Sequence, residues 1–271
     1  NRIRVSKQYD KIIYLSDGSI PFVGTKLYVH FQFPIERVNG KSLKTKFKLI
    51  FVKKIFCNSY FTKFFVDKKL NVDSKVLYPP VNINETFNIK KENVILHVGR
   101  FDVDRNENNY KKQDVMIKVF KQMTDGGLKD WKLVLVIGVR NEDKGRLHQL
   151  REMSKGYPIE IIENPSSQTL WDCYSKAKIY WHATGFGENL QKYPERAEHF
   201  GISTVEAMGV GSVPVVINAG GQKEIVNNEN NGFLFNTQNE LIKHTKLLIK
   251  DEKLWKRMSQ KAKESAKQYS M

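Results

Sequence analysis

The chain has 271 residues, 40% hydrophobic, 11% aromatic and 27% charged, the composition of a globular protein with room for a sizeable core divided over two units. A bilayer span is excluded, because no apolar run approaches the needed length and "LVLVIG" at 133–138 is typical of the longest. The net charge is +16, and residues 1–88 hold 16 Lys/Arg against 6 Asp/Glu, a field that attracts nucleic acid, anionic membranes or phosphorylated substrates unless it only records a proteome rich in Lys, Asn and Ile.

In chain order, no signal-peptide pattern opens the sequence, which starts at Asn1 rather than Met and so reads as a piece of a longer protein. "KIIYLSD" (11–17) and "KLYVHFQFP" (26–34) read as strands, and "LIFVKKIFCNSYFTKFFVDKKL" (49–70) as an apolar strand running into an amphipathic helix. Two or three strands are too few for a Rossmann half, so residues 1–86 are expected to be the back part of a first domain whose beginning is missing. "YPPVNINETFN" (78–88) suits a linker, and residues 87–271 are expected to form a second domain.

From residue 93 short apolar runs alternate with helical periodicity. "NVILHVG", "WKLVLVIG", "PIEIIEN", "KIYWHAT" and "VPVVIN" are predicted strands, with "GFLF" a short last one. "QDVMIKVFKQM", "DKGRLHQLREM", "SQTLWDCYSKA" and "STVEAMGVG" are predicted helices between them. The tail from Asn239 is predicted to be two helices broken near Asp251. Strands buried on both faces and separated by helices predict an α/β protein with a parallel, doubly wound sheet, whose ligands gather at the carboxyl ends of the strands. Cys57 and Cys173 lie far apart with no metal-ligand or redox spacing and read as reduced thiols, which expects a cytoplasmic setting.

The stretch richest in chemistry is "EHFGISTVEAMGVGSVPVV", from Glu198 to Val216. Gly201 permits a tight turn into a helix beginning near Ile202 or Ser203, and the N–H groups of that first turn form an anion site with the Ser203 and Thr204 hydroxyls beside them. Glu206 lies one turn on, suited to accept bonds from a ribose, and Glu198 precedes the helix, where it can face the group beyond a phosphate. A Glu-x7-Glu spacing alone equally describes two surface acids; the glycine, the helix start and the buried strand that follows favour the ligand site.

"EHFGISTVEAMGVGSVPVVINAGGQKEIV" resembles the signature of glycosyltransferase family 4, retaining enzymes of the GT-B fold with two Rossmann-like doubly wound domains. "HVGRF" (97–101), "KKQDVMIKVF" (111–120), "YSKAKIYWHAT" (174–184) and "NGFLF" (231–235) fall in the family's order, and "CNSYFTKFF" with "VLYPPVN" resembles the end of its first domain. Within the family, "HATGFGE" with "EHFGISTVE" is similar to the mannosyltransferases that extend lipid-linked oligosaccharides.

The resemblance implies roles residue by residue. Arg100 and Lys111 bind the donor diphosphate, with the adjacent Lys112 as the alternative cation, and stabilise the charge that builds on it as it departs. Glu198 contacts the transferred sugar and Glu206 the ribose. Gly201, Ile202, Ser203 and Thr204 supply backbone amides to the phosphates, and Gly220 and Gly221 form a second glycine turn at a strand end, a plain strand–helix turn being the other reading. The donor is a nucleotide diphosphate sugar, GDP-mannose before the UDP-sugars; the acceptor is a glycan or a lipid-linked glycan; no cofactor or metal is required and no nucleic acid is bound. "LSDGS" departs from the family by placing Asp17 and Ser19 where a histidine is usual, so no base is assigned there. The stretch 185–197 before Glu198 is a long insertion, either a flap over the acceptor or a surface loop.

Three other readings compete. Asp102 and Asp104 form a DxD that could hold a metal, and the spaced acids of this segment resemble a calcium loop, but Glu107 stands at its glycine position and Gln113 at its terminal Glu. "KSLKTKFKLIFVKK" (41–54) interleaves Lys with apolar residues and could touch an anionic membrane or nucleic acid, though no nucleic-acid motif accompanies it. Finally, a chain lacking the start of its first domain could bind donor and transfer nothing.

Overall fold

The computed structural model describes residues 2–16, 18–34, 40–83, 90–101 and 109–270. Asp17, the expected boundary at 86/87 and the acids Asp102 and Asp104 fall outside them. Contacts divide the chain into two compact units, one of residues 1–79 with 189–200 and one of residues 80–188 with 201–271. The segment 189–200, which carries Glu198 and which the sequence assigns to the second domain, thus groups with the first.

The first unit runs α1 (Arg2–Ser6), β1 (Lys11–Ser16), β2 (Lys26–Phe31), α2 (Leu43–Ile50), β3 (Val52–Cys57), α3 (Tyr60–Leu70) and β4 (Lys75–Val76). Its four strands are parallel in the order β1-β2-β3-β4. Leu27, Val29, Phe31, Ile55 and Cys57 alternate inward and pack on Val66 and Leu70 of α3. Ser59 starts α3 by accepting from the Thr62 N–H, and Asn71 ends it in the left-handed conformation. The helix α2 is a departure from the expected strand over 49–54: Leu49 and Ile50 close a helix, and the strand begins only at Val52. Its Lys, Leu and Phe residues are sound helix formers, and a Lys/apolar alternation that looks strand-like also places Thr45 and Leu49 four apart on one helical face.

Segment 189–200 is tied down by aromatic packing. Its short 3₁₀ turn at Pro194–Arg196 leads to Ala197, which is buried. The His199 ring stacks on Phe61 at 6.4 Å, and Phe200 lies 5.5 Å from Tyr78. The insertion thus ends at a buried Ala197, and the residues just after it are packed on the first unit.

The second unit runs β5 (Glu92–Phe101), α4 (Gln113–Asp125), β6 (Lys132–Val139), α5 (Lys144–Ser154), β7 (Ile159–Glu163), α6 (Ser167–Lys176), β8 (Ala177–His182), α7 (Ile202–Gly209), β9 (Val213–Ile217), α8 (Gln222–Ile225), β10 (Phe233–Phe235), α9 (Gln238–Lys250) and α10 (Glu252–Ala266). All six strands are parallel, in the order β10-β9-β8-β5-β6-β7. Continuous apolar runs such as "VPVVI" in β9 are buried throughout because helices cover both faces. The terminal helices part at Asp251, whose carboxylate accepts from the Leu254 N–H at 2.9 Å and starts α10.

The chain winds outward from β5 through β6 and β7, then returns to the other side of β5 to lay down β8, β9 and β10. The direction reverses between β5 and β8, and an open α/β sheet gathers its ligands outside the carboxyl ends at such a point. The loops after β5, β8 and β9 carry the second unit's expected site residues.

Candidate active site

The β5–β8 ladder ends at Leu96↔Tyr180, and past it the side chain of His97 reaches across the switch point. Its Nδ1 lies 3.0 Å from the Trp181 carbonyl oxygen, an atom that only accepts, so Nδ1 carries the proton and Nε2 is an acceptor. Gln113 Nε2 lies 3.4 Å from that Nε2 and donates to the Arg100 carbonyl at 3.1 Å. A β-carbon on Gly99 would sit 2.9 Å from His97 Nε2, so the glycine of "HVGRF" is there to admit the ring. His182 ends β8 beside it, its ring 5.8 Å from that of His97. These buried groups join the end of β5 to the start of α4 and fix the backbone from which the exposed Arg100 side chain projects, across from Gly138 in the register of β6.

Lys111 and Lys112 open α4. The Lys111 N–H donates to Asn109 Oδ1, and its side chain is half-buried. Lys112 takes the left-handed conformation at φ 59° and sends its ammonium to Glu188 Oε1 at 2.6 Å, with the two side chains only 15% and 12% exposed. Lys112 is therefore committed to an ion pair with the loop after β8, which the sequence did not disclose.

Helix α7 forms as expected, with Gly201 at its N-cap at φ 119°. A β-carbon there would meet Gln222 Nε2 at 2.8 Å, so both conformation and space require glycine. The Thr204 and Val205 N–H groups turn back onto the Gly201 carbonyl at 3.0 and 3.2 Å. Of the four expected amides, Thr204's is thus used inside the helix, and the N–H groups of Ile202 and Ser203 are those the first turn presents. Among the described residues, Thr204 Oγ1 and both amide atoms of Gln222 are buried there without a hydrogen-bond partner, a concentration of unmet polar atoms that a folded protein rarely keeps except where something polar binds. Replacing Gly201 by alanine is expected to cost about 1–3 kcal/mol through its positive φ and the displacement of Gln222, read as a lowered melting temperature.

Ile202, Ser203 and Glu206 share the outward face of α7, while Thr204, Val205, Ala207 and Met208 are buried. Two buried tyrosines moor that face. Tyr180 Oη lies 2.8 Å from Ser203 Oγ and 3.2 Å from the Val98 carbonyl oxygen. Tyr174 donates to Glu206 Oε2 at 2.7 Å. Burial, with Tyr180 and Glu206 adding to it, holds the Tyr174 phenol far above its ordinary pKa and so keeps it a donor. Burial also raises the Glu206 pKa above the usual carboxylate value, and the bond from Tyr174 pulls it part of the way back. After β9 the chain turns at Gly220, φ 60°, and Gly221 begins the short α8 that carries Gln222. Glu198 is half-buried in the first unit, between Ala197 and the packed His199. His97, Gln113, Glu188, the two tyrosines and Gln222 were not legible as site residues.

The same fold is found in solved structures. The chain superposes on a glycosyltransferase from Rickettsia africae with a TM-score of 0.75 at 17% identity, covering 99% of this chain and 75% of that one. It superposes on the Anabaena HepE protein solved in complex with UDP, again with a TM-score of 0.75 and 17% identity, covering 98% and 76%. The fold is GT-B, with this chain spanning part of the whole. The chain belongs to the glycosyl transferases group 1, whose family model matches residues 81–265. It is 30% identical over 217 residues to the GDP-Man:Man(3)GlcNAc(2)-PP-Dol alpha-1,2-mannosyltransferase of Dictyostelium discoideum, covering 75% of this chain and 41% of that protein. The human protein of the same description is 30% identical over 166 residues, 55% of this chain and 30% of that one.

Proposed function

We propose that this chain binds a nucleotide diphosphate sugar and serves a retaining transfer of its hexosyl group, mannose from GDP-mannose first, to a glycan or lipid-linked acceptor. The observation that carries the reading is the outward face of α7: a glycine-capped first turn with two presented N–H groups, and one turn on a carboxylate held by Tyr174 through one oxygen, Oε2. The first feature suits a diphosphate and the second a ribose, through Oε1. The relatives' mannosyltransferase descriptions favour GDP-mannose.

In this reading the bond from the anomeric carbon to the diphosphate breaks through an oxocarbenium-like transition state, and negative charge builds on the departing diphosphate. Arg100, Lys111 and the first turn of α7 meet that charge without reorganising. In this reading Lys112 holds the loop after β8 through its ion pair with Glu188. The fixed cations do the work a metal would otherwise do, so transfer is expected to survive chelation. The test is incubation with GDP-mannose, a lipid-linked oligosaccharide acceptor and chelator, reading the product's anomeric configuration by NMR. An α-linked product supports the reading; a β-linked product, or transfer only with added metal, contradicts it.

A further inference from the structure

Helix α2 of the first unit is amphipathic in an unusual sense, because it has two apolar faces. Thr45, buried, and Leu49, partly buried, turn inward, Leu49 onto the core of this unit. Leu43, Phe47 and Ile50, spaced i, i+4 and i+7, form a stripe on the other side and are 83%, 54% and 76% exposed. The stripe continues beyond the helix. Phe47 stacks on Phe22 at 5.9 Å and meets Phe51 at 5.2 Å, and Phe51 is itself 40% exposed. The loop of Phe22 brings the Gly24 backbone against Ile3 of α1, another exposed aliphatic side chain. A contiguous exposed apolar patch of this kind marks a contact surface.

Its charge says which kind. Residues 41–54 hold six lysines and no acid. Lys44 and Lys46 are exposed and flank the apolar stripe on its two sides, while Lys48 is used internally, donating to the Ile20 carbonyl at 2.6 Å. The exposed Arg2, Arg4 and Lys7 of α1 lie at the Ile3 end. Among the described residues no helix is long and apolar enough to cross a membrane, and α2 has eight residues, so this surface is built to lie on something. Nucleic acid would satisfy the lysines but leave Leu43 and Ile50 in water. A lipid surface with anionic headgroups takes both, apolar side chains into the acyl boundary and lysines among the headgroups.

We propose that the face formed by α2 with Phe22, Phe51 and α1 is a membrane-docking surface for bilayers bearing anionic lipid. The inference stands on the first unit and is independent of the donor chemistry of the second.

The experiment is co-sedimentation of the full chain with phosphatidylcholine vesicles with and without phosphatidylserine, beside the Leu43→Ser/Ile50→Ser and Lys44→Ala/Lys46→Ala variants. Both pairs are exposed, so each variant is expected to keep the parent's melting temperature, which is measured alongside. The parent is expected to bind the anionic vesicles, more weakly as salt rises. The apolar variant is expected to lose at least about tenfold in partitioning. The lysine variant is expected to lose about thirtyfold, a factor of roughly five for each charge removed. No binding to anionic vesicles, or equal binding by the apolar variant, overturns the proposal. So does retention on a single-stranded DNA or heparin column with no vesicle binding, or a dimer in solution that the apolar variant dissolves while vesicles capture neither.

Discussion

Replacing Glu206 by alanine is expected to weaken the affinity for the donor nucleotide by about 10- to 100-fold, the loss of charge-assisted bonds to ribose hydroxyls. The melting temperature of the free protein should also fall, by the equivalent of about 1–3 kcal/mol, because the buried Tyr174 hydroxyl loses its acceptor, a cost that the removal of a buried carboxylate offsets in part. The two effects of pH on this group run in opposite directions. Burial raises the native pKa of Glu206, so its charged form, the one that accepts hydroxyl protons, disappears at a higher pH than for a surface glutamate. Nucleotide affinity is therefore expected to fall as pH drops through that raised value. The stability of the free protein moves the other way, because a native pKa above the unfolded one means that the folded state binds the proton more tightly, and Glu206 destabilises it once pH rises past that value. Glu206→Gln should flatten both trends. Titration calorimetry with the nucleotide across pH reads the first; equal affinity for Glu206→Ala and the parent at neutral pH would sink the ribose assignment.

Substitution of Arg100 or Lys111 by alanine is expected to lower turnover by about 10²- to 10³-fold, with a much smaller change in affinity for the intact donor, since the charge they meet is greatest in the transition state. Lys112→Met should behave differently. It removes a charge-assisted bond to Glu188 in a site where both side chains are nearly buried, so the expected cost is about 1.5–3 kcal/mol of stability, seen in thermal melts. Should Lys112→Met abolish turnover while leaving the melting temperature untouched, and Lys111→Ala change nothing, the two lysines have been assigned the wrong way round.

The pattern of the second unit could be read in advance because each buried strand is a near-continuous apolar run and each helix keeps its period; Asp251 marked its own break. The glycine of α7 was legible because a glycine just before a helical run marks a tight turn, and its φ of 119° against Gln222 shows that the turn needs it. The supporting contacts were hidden because they join residues far apart in the chain. Tyr174 and Glu206 are separated by 32 positions, and His97 meets Trp181 across 84. Lys111 and Lys112 are chemically identical in sequence, and the bond from Lys112 to Glu188 spans 76 positions. The strand expected from Leu49 begins only at Val52, because Leu49 and Ile50 close α2 and the apolar run "LIFV" carries no mark of where the helix stops. The place of 189–200 depended on aromatic packing by His199 and Phe200 that no local signal announces.

The central claim is that the first turn of α7 and Glu206 hold a nucleotide diphosphate. The most direct test is a thermal-shift and calorimetric comparison of GDP, UDP and ADP with this chain, chelator present throughout. Saturable stabilisation is expected, by GDP before UDP, of about 2.7 kcal/mol at a hundredfold excess over the dissociation constant, and it should be lost in Glu206→Ala. A folded protein that responds to none of the three, or a response that Glu206→Ala leaves unchanged, would contradict it.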